Sequence, residues 1–312
     1  EYARTIEEDL SRRDFTINAI ALNLQEFDET QVSIQKILID PFGGVDDLKK
    51  GIIRAVGDPY ERFEEDGLRA VRGCRLAAQL DIVTDDIPPF QIEKETFEAM
   101  KQTNHITKLV SVERFRDELM KLLLHSPKPS KGLKLMRDAG ILSIFIPELL
   151  EGISVVQPEF HTDDVFDHLL KSVDAAEDSV KLAALFHDIA KPRLRTEDES
   201  GIHFYGHDVL GEKMTREIMK RLKFPNAEIK RTAKLVRWHM FYYPSVEWRR
   251  EVGSTKSEVL NPKQNAQLEY WRQELENPRQ NIAGGWSDGA IRRLIINVGG
   301  EDAIDDLMRL RI

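Results

Sequence analysis

Glu8-Asp9-Leu10-Ser11-Arg12-Arg13-Asp14-Phe15-Thr16-Ile17-Asn18-Ala19 sets two guanidinia and a carboxylate at the edge of an apolar stretch. Read as a helix start, the run offers backbone N–H groups that favour anions, and arginine takes phosphate oxygens in a bidentate grip. Asp14 can accept hydrogen bonds from ribose hydroxyls. The tripeptide alone favours a plainer reading, a helix start with surface ion pairs. The length of the whole string is what makes Arg12, Arg13 and Asp14 candidate nucleotide contacts.

Around it, residues 1–57 alternate short apolar runs, Ala19–Leu24, Ile34–Ile39 and Ile52–Val56, with turn signals such as Asp40-Pro41-Phe42-Gly43-Gly44. This predicts two or three strands and a helix, too small a piece to form a stable sheet domain alone. Over 58–150 apolar residues recur at three- and four-residue intervals, in Phe63–Leu80 and Val112–Leu124, and predict helices punctuated by Pro88-Pro89, Pro127 and Pro129. A third region, 151–312, holds His161, His168, His187, His203, His207 and His239. Within it, about 245–285 is polar and reads as an inserted loop, with one helix around Gln264–Leu275.

Hydrophobic residues make up 41% and charged residues 32% of the 312, the balance of a soluble, well-packed protein of two or three domains. No apolar run approaches the roughly 18 residues that a membrane span needs, and Glu1-Tyr2-Ala3-Arg4 resembles neither a signal nor a transit peptide. The one cysteine, Cys74, lies in an Arg-rich apolar stretch and reads as a buried filler; with no internal disulfide, a reducing cytoplasm is expected. A net charge of −9 argues against indiscriminate nucleic-acid binding. Local cationic stripes remain: Arg69, Arg72 and Arg75 recur every third residue, as do Lys128, Lys131, Lys134 and Arg137, and either set is a candidate RNA contact or a solvated helix face.

In Glu64-Glu65-Asp66-Gly67-Leu68-Arg69, Asp66 and Arg69 stand three apart, which on a helix would place them on one face. A carboxylate accepts from an amino group and a guanidinium donates to ring nitrogen and carbonyl acceptors, so the pair presents an edge complementary to cytosine or adenine. Taken alone it is an ordinary i,i+3 ion pair. Asp66, Arg69 and Arg72 join Arg12, Arg13 and Asp14 as nucleotide-binding candidates.

These strings resemble the signature motifs of the class II tRNA nucleotidyltransferases and bacterial poly(A) polymerases. The resemblance implies that Arg12, Arg13 and Asp14 meet the sugar and phosphates of an incoming nucleotide, and that Asp66 and Arg69 select CTP and then ATP without a nucleic-acid template. It also implies a remnant of an α/β nucleotidyltransferase palm over 1–57, followed by a helical neck and body. Asp40–Leu48 matches the family's connecting motif, with a turn and hinge role; Ser111–Leu119 matches a later helical motif in which Glu113 and Arg114 brace the neck. Gly67 stands where the family usually has proline and is expected to loosen that turn. The family's transferase site is built on a Gly-Gly turn and an Asp-x-Asp pair holding Mg²⁺. No equivalent of that turn, with its Arg-Asp pair and a following Asp-x-Asp, is found here, so the catalytic acids are expected upstream of Glu1. The adjacent acids Asp46-Asp47, Asp85-Asp86 and Asp163-Asp164 read instead as turn and cap residues.

The histidine-rich region resembles an HD phosphohydrolase domain. His168 precedes the pair in Phe186-His187-Asp188-Ile189-Ala190-Lys191-Pro192, and His207 and His239 follow on predicted helices. Imidazoles and a carboxylate converging from several helices suit a divalent transition metal that would activate water. His168, His187, Asp188, His207 and His239 are the candidate ligands; His161 and His203 read as loop or helix-end residues, and Asp288 as a helix cap or, in the alternative, a substitute for the domain's last ligand.

The expectation is thus a mainly α chain: a palm remnant, a helical neck and body, and an all-helical HD domain. By resemblance it belongs to a CCA-adding enzyme whose partners are tRNA, CTP and ATP. Rival expectations are a poly(A) polymerase, an enzyme adding only CC or only A, a phosphohydrolase working through His187, and a non-catalytic tRNA-binding module.

Overall fold

A computed structural model describes residues 3–24, 37–82, 87–157, 163–199, 201–240, 306–307 and 309–310. The expected segments 245–285, Asp85-Asp86, His161 and Asp288 lie outside them. The described residues are mainly helical, with three two-stranded pairings: Ala21–Leu22 antiparallel to Leu38–Ile39, Ile52–Ile53 parallel to Gln91–Ile92, and Thr196–Asp198 antiparallel to Gly201–His203. The last pairing corrects the expectation of an all-helical histidine region, and it places His203 on a hairpin strand, where its ring nitrogen pairs with Asp198 at 3.1 Å.

Cap chemistry sets the helix ends that position the sites. Asp58 accepts from the amides of Tyr60 and Glu61, and Pro59 opens the helix Pro59–Glu65. Asp164 caps Val165–Ala175 through the Asp167 amide, and Asp163 pairs with Lys171. Asp164 is thus the cap expected, whereas the Asp163 side chain serves an ion pair instead. Asp47 does more. Buried in the first turns of Gly44–Lys50, it accepts from Thr16 Oγ1 at 2.8 Å and from Arg54 at 3.0 Å.

Three sequence expectations change here. The Arg12-Arg13-Asp14 run does not begin a helix; it follows Ile6–Ser11, with Arg12 as the C-cap. The dipole there favours the arginines themselves, so any anion grip comes from guanidinium alone. The predicted helix Phe63–Leu80 is broken at Asp66-Gly67 into Pro59–Glu65 and Leu68–Gln79, with Asp66 extended at φ −156°. A Cβ on Gly67 would lie 2.6 Å from the backbone of Thr107. The glycine does not loosen this turn; it admits a close chain crossing. Gly67→Ala should lower stability by about 1–3 kcal/mol, measurable as a lower denaturant midpoint at unchanged slope; an unchanged midpoint would contradict this packing.

The main core runs through the described residues from Phe15 to Leu310, and a small separate cluster joins Leu10, Ala19 and Val56. Phe15, fully buried, lies against Gly73, where a Cβ would stand 2.9 Å from the ring; it bridges to Ala55, and Thr16 N–H on Arg54 C=O at 2.9 Å pins the segment. That close approach carries Asp14 up to the helix Leu68–Gln79. Cys74 is a buried filler, as expected. No helix among the described residues is long and apolar enough to cross a membrane.

Candidate functional site

Arg12, Arg13, Asp14, Asn18, Asp66, Arg69, Arg72 and Arg114 line one open cleft of about 540 Å³. Three chain segments build it: the stretch from Arg12 to Asn18 after Ile6–Ser11, the break at Asp66 with the helix Leu68–Gln79 that follows it, and the first turn of Val112–His125. All six residues expected to bind nucleotide are in it.

Their partners differ from the sequence reading. Asp66 faces Arg114, not Arg69: Arg114 donates to Oδ1 at 3.2 Å and Oδ2 at 2.6 Å, and the Leu68 amide adds 3.0 Å to Oδ1. Arg69 donates to Glu65 at 2.5 Å and to the carbonyls of Arg62 and Arg12 at 2.9 and 3.2 Å. Burial works against ionisation of Asp66, but Arg114 and the Leu68 amide outweigh it and hold the carboxyl below its usual range. Asp14 is buried and similarly engaged. It accepts from Asn18 and the Phe15 amide on Oδ1, and from Arg72 at 2.7 Å on Oδ2; against burial, these partners hold it below the usual carboxylate range.

A carboxylate has about four acceptor positions. Asp14 and Asp66 each have three bonds in place, which leaves each room for one more donor. Arg12 and Arg13 are half-exposed and paired with Glu8 and Asp9 at 2.8 and 2.6 Å. Such pairs are weak, and a phosphate can take over their guanidinia. Sequence reasoning treated Arg114 only as a structural brace. The available signal was its charge within Ser111–Leu119, one of the strings that marked the neck.

The cationic stripes are committed internally. Arg75 is buried against Glu118 at 2.6 Å. Lys131 pairs with Asp81 at 2.6 Å, Lys134 with Asp167 at 2.9 Å and Arg137 with Asp138 at 2.8 Å, while Lys128 is exposed ahead of Pro129–Asp138. Neither set is a bare phosphate track.

The second site gathers all five expected ligands. Asp188, buried at the end of Lys181–Phe186, meets His168 at 3.3 Å and His187 at 3.2 Å on Oδ2, and His207 at 3.4 Å and His239 at 3.3 Å on Oδ1, each through Nε2. His187, His207 and His239 direct Nδ1 at the carbonyls of Ala184, Phe204 and Val236, 2.9, 2.7 and 2.6 Å away. Those carbonyls fix the Nδ1–H tautomer and leave bare Nε2 lone pairs. Burial pushes the pKa values of His187 and His207 down, which keeps the rings neutral. Lone pairs therefore face a carboxylate across little more than 3 Å. Oδ1 of Asp188 is buried without a hydrogen-bond partner. On Oδ2, Lys191 donates at 2.6 Å, while also bonding Gln157 at 2.7 Å. Such a donor set is repulsive alone and is satisfied by a cation, so the residues fit a metal. Lys191 and Gln157 went unassigned in the sequence, although Lys191 follows Asp188 by one helical turn.

Comparison with known proteins agrees in all three regions. Residues 1–54 match the poly A polymerase head domain, 89–152 the probable RNA and SrmB-binding site of polymerase A, and 161–269 the HD domain. An A-adding tRNA nucleotidyltransferase of Deinococcus radiodurans is 37% identical over 254 residues, covering 77% of this chain and 54% of that protein. A multifunctional CCA protein of Neisseria gonorrhoeae is 32% identical over 265 residues, 82% of this chain and 57% of its own. The chain thus spans about half the length of these relatives. A solved tRNA-processing enzyme complex shares the fold at a TM-score of 0.50 and 20% identity, over 98% of this chain and 64% of that one. By its head, RNA-binding and HD regions together, the chain belongs to the family of class II tRNA nucleotidyltransferases and poly(A) polymerases.

Proposed function

We propose that this chain selects the nucleotide and grips the RNA in a tRNA nucleotidyltransferase that extends the tRNA 3′ end from CTP and ATP. The observation that carries the reading is the convergence of Asp14, Asp66, Arg69, Arg72 and Arg114 on one cleft. Asp14 would accept a ribose hydroxyl, with Arg72 holding the carboxylate in place. Arg12 and Arg13 would exchange Glu8 and Asp9 for phosphate oxygens. Asp66, oriented by Arg114, would accept the amino group of cytosine or adenine, and Arg69 would donate to the neighbouring ring acceptor. Uracil and guanine present a keto oxygen to Asp66 and are rejected by repulsion between acceptors. Exposed Lys128 would meet the RNA backbone directly, and Lys131, Lys134 and Arg137 would do so by exchanging their carboxylate partners for phosphates. In the transfer step Mg²⁺ would stabilise charge on the reacting phosphate. Among the described residues, the cleft's two acids, Asp14 and Asp66, are committed to Arg72 and Arg114 and are not a ligand set for it. We divide the chain functionally at 1–57, 58–150 and 151–312, and place the protein in the cytoplasm.

Binding of the four nucleoside triphosphates to this chain tests the reading by titration calorimetry. CTP and ATP should bind at least about tenfold tighter than UTP and GTP, the discrimination of one good hydrogen-bonded edge, and Asp66→Ala should erase the difference. Equal affinity for all four would refute base selection by this cleft. The 37% identity to an A-adding relative supports a second reading, in which the parent enzyme adds only the terminal A. ATP bound and CTP rejected would favour it.

In the histidine cluster, His168, His187, Asp188, His207 and His239 would hold a divalent transition metal. When bound, it would activate water for phosphoester hydrolysis. Lys191, held by Gln157, would neutralise Asp188 and present a donor beside it.

A further inference from the structure

Lys223 occupies the turn between His207–Arg221 and Asn226–Trp238, the two helices that lead from His207 and to His239. The turn closes with Phe224 N–H on Met219 C=O and Lys223 N–H on Lys220 C=O, both 3.0 Å. The wide bond of this pair marks a helix stop at which glycine is the usual residue. Lysine sits there with φ +56°, a backbone region that an L side chain enters at a steric penalty. The side chain has a use elsewhere. Its Nζ lies 2.5 Å from Glu113 Oε1, and its carbonyl accepts from Arg116 at 2.5 Å. That hydrogen bond from Lys223 holds the Glu113 carboxyl below its usual range.

Glu113 and Arg116 stand one turn apart on Val112–His125 and share a face. Arg114 lies between them and carries the bidentate bond to Asp66. The helix's own cap is slack, with the Arg114 amide 3.4 Å from Ser111 Oγ. A first turn so weakly capped frays unless side chains hold it.

We infer that Lys223, from the histidine-rich region, is a positioning residue for the nucleotide cleft: it clamps the first turn of Val112–His125 so that Arg114 keeps Asp66 in place for the base. This rests on the reading of the cleft as a nucleotide site. Lys223 meets no nucleotide itself.

Glycine at this position separates positioning from folding, because it suits the backbone, keeps the carbonyl that accepts from Arg116 and removes only the Nζ–Glu113 contact of the clamp. Lys223→Gly should leave the melting temperature unchanged or raised while weakening CTP or ATP binding about threefold, the scale of an exposed ion pair. Hydrogen exchange at the Leu68 amide, which bonds to Asp66, should quicken. Lys223→Arg should retain binding and protection, and Lys223→Gly should add nothing once Arg114→Ala is present. Wild-type affinity and Leu68 protection in Lys223→Gly would overturn the inference. So would a full further loss of binding in the Arg114→Ala background. If the unsubstituted chain binds neither CTP nor ATP, the cleft reading fails, and Leu68 exchange alone decides the clamp: faster exchange in Lys223→Gly upholds it, and equal exchange sinks it.

Discussion

Asp188→Ala is expected to abolish metal binding by this chain, with affinity falling more than about a hundredfold. That is the lower bound set by outer-shell substitutions, which already cost 10–100-fold, and Asp188 stands inside the shell. Its two oxygens face all four imidazoles, Oδ2 toward His168 and His187 and Oδ1 toward His207 and His239. Both candidate ligand groups include it. His187→Ala removes one nitrogen from one group only and should weaken metal uptake less. Equilibrium dialysis with zinc, nickel and manganese, followed by elemental analysis, reads both variants. Undiminished stoichiometric metal in Asp188→Ala would show that the ion sits elsewhere. A second readout guards against misfolding: the apo variant should keep the far-UV circular dichroism of the apo parent while melting lower, because Lys191 loses its carboxylate partner and relief of the repulsion between that carboxylate and the bare Nε2 lone pairs offsets only part of the loss.

Glu118→Ala should destabilise the fold by about 3 kcal/mol, the low end for breaking a buried ion pair. Glu118 and Arg75 are 3% and 8% exposed and joined at 2.6 Å, so the substitution strands a guanidinium in the core. The low end applies because Lys121, half-exposed, reaches the same carboxylate at 2.9 Å and solvent is near. Replacing both partners, Arg75→Met with Glu118→Leu, should recover most of the loss, as a stranded charge is worse than an apolar pair. Equilibrium urea unfolding of the singles and the double checks this; simple additivity would show that the two groups do not interact. The pH dependence has a definite sign. Burial opposes ionisation of Glu118, but Lys121 and Arg75 outweigh it and hold its pKa below 4.5. Its contribution is therefore complete above pH 4.5 and lost as pH falls through the lower folded-state value. The acid-induced loss of stability below pH 4.5 should be shallower in Glu118→Gln. Arg75 shares its helix with Arg69 and Arg72, so the pair also fixes the helix that carries the cleft's cations.

What could be read from the chain alone follows from periodicity and local chemistry. Spaced apolar residues give Val112–His125, Pro129–Asp138 and Val165–Ala175, because a helix repeats every 3.6 residues whatever it packs on. Asp58 and Asp164 are caps by the reach of their own carboxylates to the amides that follow. The five histidine-cluster ligands and the six nucleotide candidates were all named from sequence strings, and each group converges in space. Pairing was not legible. Asp66 and Arg69 stand three apart in the chain, yet the close crossing of Gly67 over Thr107 breaks the helix between them. Asp66 then turns to Arg114, 48 residues away. The arginine and lysine stripes read as open cationic faces until Glu118, Asp81 and Asp167 arrive from distant segments to neutralise them. Residue type and spacing thus determined which groups this protein has available and on what elements they ride. Which of them meet was decided by the tertiary structure alone, because an ion pair depends on a distance that falls off over a few ångströms, and packing between remote segments sets that distance.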